Sequence, residues 1–248
     1  MSFPSYIPES VAQAGDSFAW KGTLYHIGKL EGAHPMMRLF SDINSCGCFA
    51  IASGLAMWNA ARFSELVDVK SLVDMSDGAL AFMCNPLLLD YESIESEKVV
   101  EKPKVLSAFR CVRRLVKMCL SPGRYADNAA PPVVDLYHLA CLTRHLLSKK
   151  DQKVFDQWLK KATDRVRKVA RRPRNQSRKL KSPAKKADIQ HYVAYYWGLP
   201  VPRKILEEDI PQAKLQQVFA EEVKAVDWKK NAFVSRKPNP KLAYGYKA

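Results

Sequence analysis

A chain of 248 residues, 47% of them apolar and 10% aromatic, has enough material for a buried core and is not a wholly disordered polymer. Ten glycines are few for this length, which argues against a β-rich fold or one built on Gly-rich nucleotide loops. The formal charge is +15, yet the segment from Lys160 to Lys186 alone carries +12, with thirteen Lys or Arg opposed only by Asp164. The other 221 residues are therefore nearly neutral, and the basicity is local.

The first forty-odd residues, with Pro4, Pro8, Gly15, Gly22, Gly28, Gly32 and Pro35, read as an irregular strap over positions 1–42. A short extended piece is predicted around Leu24–Ile27, and Phe18, Trp20 and Tyr25 are expected to pack onto a helical body. No basic n-region followed by an apolar stretch marks a signal peptide, so a cytoplasmic protein is expected. Nearly continuous apolar residues from Asn44 to Leu66 predict a helix buried on most sides, capped by Asp42, Asn44 or Ser45. Its longest apolar stretch, Cys46 to Ala61, is broken by Ser53, Gly54 and Asn59, so no membrane span is expected.

A second helix is predicted from about Val69 to Cys84, stopped by Pro86. Asp90, Glu92, Glu95, Glu97 and Glu101 then mark an exposed acidic connection. From Lys104 to Leu120, Val105, Phe109, Val112, Val116 and Cys119 form one apolar stripe, with Arg110, Arg113, Arg114 and Lys117 expected away from it. Ser121-Pro122-Gly123 ends that helix, and the next begins after Pro131-Pro132 with Leu136, Leu139, Ala140, Thr143 and Leu147 inward.

Asp151 is expected to cap a further helix in which Phe155, Trp158, Leu159, Ala162, Val166, Val169 and Ala170 face inward. Lys160, Lys161, Arg165, Arg167, Lys168 and Arg171 fall on its other side. The first half of the basic run is thus an amphipathic helix face, and the part beyond Pro173 is a loop. Asp188 opens a short helix with Ile189, Tyr192, Val193, Tyr196 and Trp197 on one side, closed by Gly198 and Pro200. A last helix starts at Pro211, buries Leu215, Val218, Phe219 and Val223, and ends before Trp228, leaving an irregular tail. The fold class predicted is all-α, a single-domain bundle of about seven helices spanning 1–248.

Catalytic signatures are thin. No nucleophile elbow, P-loop, dinucleotide fingerprint, H-E-x-x-H or calcium loop is present. Ser45-Cys46-Gly47-Cys48-Phe49 at a helix start is the nearest approach to an activated nucleophile, since a helix dipole would lower a thiol pKa. Its histidine partner is not evident: His26, His138, His145 and His191 are all distant in sequence. The six cysteines lack C-x-x-C spacing and read as reduced, packed thiols; His138 and His145 lack a third ligand. No catalytic residue, metal site or cofactor is expected. The basic run has no Phe, Tyr or Trp between Lys160 and Lys186, so it suits phosphate or carboxylate attraction better than base stacking.

Two segments resemble a known group. Phe49 to Tyr91, with Trp58 and Arg62-Phe63 after an apolar helix, resembles a helical pair in small bacterial proteins encoded beside type VI secretion effectors. Trp197 to Val234 is similar to that family's closing pattern: Gly198 to Arg203 as G-x-P-V-P-R, then Asp227-Trp228 and Asn231-x-Phe233. The resemblance implies a helical, non-enzymatic immunity protein that binds and neutralises a cognate antibacterial toxin in the producing cell. The electrostatic anchor for an acidic toxin surface is then expected on Arg165, Lys168, Arg171, Arg172, Arg174, Arg178, Lys179 and Lys181. A second reading uses the same 160–186 segment as a phosphate clamp for nucleic acid; a third is an adaptor or chaperone for the effector.

Overall fold

The computed structural model describes residues 2–22, 35–90, 103–121, 132–172 and 197–243. Within them the chain is helical: α1 (Glu9–Ala12), α2 (Pro35–Phe40), α3 (Ser45–Phe63), α4 (Lys70–Cys84), α5 (Pro103–Cys119), α6 (Val133–Leu146), α7 (Lys149–Val169), α8 (Leu215–Ala225) and α9 (Pro240–Ala243). Among the described residues there are two isolated β-bridges, Ile43 with Arg171 and Leu89 with Val234, and no sheet. The fold is an all-α, single-domain bundle.

Helix α3 is its axis. Every residue except Met57 is buried, and α1, α4, α5, α6 and α7 all pack on it together with a 3-10 turn at Arg203–Leu206. A helix surrounded in this way is apolar on most of its faces, and its buried polar residues Ser53, Asn59 and Arg62 each make hydrogen bonds inside the fold. Gly54 permits the close approach: a Cβ there would come within 2.7 Å of Leu206 and 3.0 Å of Trp158. Of the three expected caps, Asn44 does the work, its side chain accepting from Gly47 N at 3.0 Å.

α4 begins within a residue of its predicted start and ends at Cys84, before a 3-10 turn at Pro86–Leu88. The α5 stripe of Val105, Phe109, Val112, Val116 and Cys119 is buried throughout. Arg113 departs from expectation: it is buried as well, with its guanidinium 5.9 Å from the Phe109 ring centroid. A long stem lets an arginine at the edge of an apolar stripe lie along it. All five inward residues expected of α6 and its end are buried.

The strap is held by its aromatics, as expected for Phe18 and Trp20, though it includes the short helices α1 and α2. Phe18 meets Phe63 edge-on at 5.9 Å, Trp20 Nε1 donates to Ser107 Oγ at 2.9 Å, and Tyr6 stacks on Trp158 at 4.9 Å. Tyr25 and the Leu24–Ile27 piece lie outside the described residues, as do Glu92 to Glu101 of the acidic connection, Pro122-Gly123 and most of the Asp188–Trp197 helix. At the C-terminal end, a 3-10 turn at Gln212–Lys214 precedes α8, so the α-helix starts four residues after Pro211. α8 buries Phe219 and Val223, while Leu215 and Val218 are only half-buried.

Candidate partner-binding surface

Helix α7 carries the basic face. Its N-terminus is fixed by Ser148 rather than Asp151: Ser148 Oγ accepts from Asp151 N at 3.1 Å and donates to Asp151 Oδ2 at 2.6 Å. Asp151 therefore sits inside the first turn, completing a box with Ser148, and its second oxygen accepts from Ser10 Oγ at 2.6 Å. The expected cap was displaced because the serine three residues earlier offers the same chemistry with extended backbone. Phe155, Trp158, Leu159, Ala162 and Val166 bury the inner face, and Val169 is half-buried.

The outer face divides in two. In its C-terminal half the cations meet carboxylates supplied by the fold. Arg167 donates to Asp42 Oδ1 at 2.9 Å, Asp164 Oδ1 at 2.6 Å and Leu39 O at 2.7 Å. Arg165 reaches Leu206 O at 3.1 Å and lies 3.9 Å from Asp209. Lys168 donates to Asp209 at 2.7 Å, Lys160 to Asp164 at 3.0 Å, and Arg171 lies 3.6 Å from Asp42. Arg172 donates through its backbone to Asp42 O at 2.7 Å and through its side chain to Ser41 O at 3.2 Å. Asp164 and Asp209 are held below the usual carboxylate range by the hydrogen bonds from Lys160 and Lys168 respectively.

Of the expected anchor residues, the structure brings together Arg165, Lys168, Arg171 and Arg172, and gives each an internal partner. Arg174, Arg178, Lys179 and Lys181 lie outside the described residues. Toward the N-terminus of α7 the balance changes. Lys149, Lys150, Lys153 and Lys161 are exposed and make no ion pair among the described residues. Three of these precede the basic run as read from sequence, so a charge count over Lys160–Lys186 missed them. Plotting exposed lysines on the helix would have found them.

The residues of the two family-like segments are braces. Trp58 is fully buried and meets Phe155 edge-on at 5.2 Å. Arg62 is buried too: its Nε donates to Leu146 O at 2.8 Å, its Nη1 to Gly15 O at 2.5 Å, and burial lowers its pKa. Arg203 donates to Asp77 Oδ1 at 2.7 Å, while Glu222 accepts from the backbone N–H groups of Arg203 and Lys204 at 2.8 and 2.7 Å. This ties α4, the 203–206 turn and α8 together. Burial raises the Asp77 and Glu222 carboxyls, with Arg203 opposing the rise. Asn231 Nδ2 donates to Asp74 O at 3.0 Å, its Oδ1 accepts from Phe233 N at 2.8 Å, and Trp228 Nε1 donates to Val223 O at 2.7 Å.

The thiols at the start of α3 are buried and free, as expected of packed thiols. Burial pushes Cys46 and Cys48 far above the ordinary thiol pKa, overriding any effect of the helix dipole, and Cys46 Sγ donates to Gly198 O at 3.5 Å. Cys84 is pushed up to about 12 by burial. His145 Nε2 donates to Ala19 O at 2.7 Å, whereas the His138 ring lies beside Tyr137 and its pKa is lowered by burial. Among the described residues, no group of three His, Cys, Asp or Glu side chains is placed to hold a metal, and no helix is long and apolar enough to cross a membrane. An open cleft of about 630 Å³ lies between the strap and the α3–α4 turn, lined by Phe3, Ile7, Val67 and Val69 with Glu9, Glu65 and Asp68. No family description, curated protein or solved structure matches this chain.

Proposed function

We propose that this chain is a helical immunity protein that binds a cognate antibacterial toxin, of the kind delivered by type VI secretion, and neutralises it by occlusion without catalysis. The observation that carries the reading is the basic outer face of α7, mounted on a helix pinned at both ends. Ser148 and Ser10 hold its first turn, and Asp42 with the Ala170 carbonyl holds its last. A rigid array of like charges steers an oppositely charged partner and costs little ordering on binding. The family-like segments support the same reading. Trp58, Arg62, Arg203, Asn231 and Phe233 all brace the interior or the seams between helices, the kind of residue a shared architecture would retain.

The partner this face fits is a toxin with an acidic surface or a carboxylate-lined cleft. The test is co-expression with the product of the neighbouring gene as the candidate toxin, scoring survival and a one-to-one complex at moderate salt. Nucleic acid competes as a partner because of the concentrated charge. A DNA titration against salt distinguishes it, since phosphate binding weakens with a slope of about −0.9 per phosphate neutralised. Complex formation without rescue selects the adaptor reading.

A further inference from the structure

Five of the seven cations from Lys160 to Arg172, Lys160, Arg165, Arg167, Lys168 and Arg171, share three carboxylates, Asp42, Asp164 and Asp209, with Lys161 and Arg172 outside that set. In the N-terminal half, Asp156 is taken by Arg144 of α6 at 2.9 Å, and Asp151 by Ser10 and Ser148. Lys149, Lys150, Lys153 and Lys161 are left without a carboxylate among the described residues. Lys149 and Lys150 also stand in the first turn, at the positive end of the helix dipole, where cations oppose the backbone field. A local preference broken in this way, with no carboxylate among the described residues to offset it, leaves these lysines open to a partner outside the fold.

The pattern along that face identifies the occupant. Lys150, Val154, Gln157 and Lys161 follow each other at i, i+4, i+7 and i+11, one line of roughly 16 Å along the helix. Val154 on this line is 37% exposed, an uncovered apolar side chain among lysine stems, with Lys149, Lys153 and Lys160 along one flank. One exposed apolar side chain bracketed by lysine stems offers a partner protein a packed contact, and the cations around it select acidic side chains on that partner. Bare phosphate backbone offers nothing for Val154. We infer that Lys149, Lys150, Lys153, Val154 and Lys161 form the docking ridge for an acidic amphipathic helix of a partner protein. The arginine-rich C-terminal half is instead an internal brace.

The assignment rests on reading the chain as a protein that binds a partner protein. The probe is a lactam-stapled helical peptide bearing a Leu stripe flanked by glutamates, titrated by fluorescence anisotropy against the full chain. Polyglutamate and duplex DNA of equal charge are the comparisons. Reversing the ridge (K150E, K153E, K161E) is expected to weaken peptide binding at least about tenfold, and reversing the more exposed brace cations Lys168 and Arg171, with calorimetry checking that variant's fold, less than about threefold. Val154→Ser should weaken it by about threefold, because only a packed contact feels that change. Glutamates near a helix N-terminus favour the dipole, so the ridge variant keeps its fold, which circular dichroism checks. No peptide binding, polyglutamate or DNA binding as tightly as the helix, or equal loss in both reversal sets would overturn the ridge. The co-expression assay reads separately. Peptide binding on the ridge without toxin rescue removes immunity and leaves the surface, whereas undiminished rescue by the ridge variant removes the surface and leaves immunity.

Discussion

Arg167→Ala isolates the brace at the end of α7. The side chain is 25% exposed and makes three bonds: those to Asp42 and Leu39 O hold α7 to the junction of α2 and α3, and that to Asp164 lies within α7. A hydrogen bond to a charged group contributes about 1.5–3 kcal/mol when sheltered, and a partly exposed one about 1 kcal/mol, so the substitution should cost roughly 2–3 kcal/mol. In a chain of this size each kcal/mol shifts Tm by about 2–4 °C, giving a fall of about 5–10 °C by calorimetry. Hydrogen exchange should quicken at the α7 amides that follow Arg167 while α3 stays protected. Because the outer lysines are untouched, partner association should change little. A Tm within about 2 °C of the parent would refute the brace, meaning that water replaces these bonds at no cost.

Gly198→Ala should destabilise strongly, by about 2–4 kcal/mol, since φ is +77° and the new Cβ would overlap the Asn44 side chain that caps α3; urea denaturation measures it. Ser148→Ala removes the α7 cap and is expected to cost about 1 kcal/mol, and Ser148→Thr should recover most of it in the same assay. Asp164 supplies a pH dependence. Its folded pKa is depressed by the Lys160 and Arg167 bonds, so its contribution is present above the unfolded value near ~3.9 and is lost as pH falls through the lower folded value. Asp164→Asn should therefore flatten the Tm profile on acidification below about pH 4, and an unchanged slope would remove Asp164 from the brace.

Periodicity read the helices well wherever the apolar stripe alone decides, as in α5 and along the inner face of α7. Local signals narrowed the α3 cap to Asp42, Asn44 or Ser45, of which the structure uses Asn44, and read the stop before Pro86. What escaped is non-local. Nothing near Arg203 in sequence says that Asp77 and Glu222 will converge on it from α4 and α8. Nor does the spacing of Arg165 and Arg167 reveal that Asp209 and Asp42 come to meet them. A basic run therefore reads as free charge from sequence, while the fold places carboxylates against five of its seven described cations. Arg113 illustrates the converse, a cation drawn inward by its aliphatic stem and the Phe109 ring. Cys46 and Cys48 show that burial overrides a helix terminus in setting thiol chemistry.

The most direct test of the proposed immunity by occlusion is survival of cells expressing the candidate toxin, the product of the neighbouring gene, with the complex isolated from those cells and weighed by light scattering. The account predicts full rescue, with a one-to-one complex whose toxin is inactive until separated. Death of the cells despite a stable complex, or rescue with no complex formed, would contradict it.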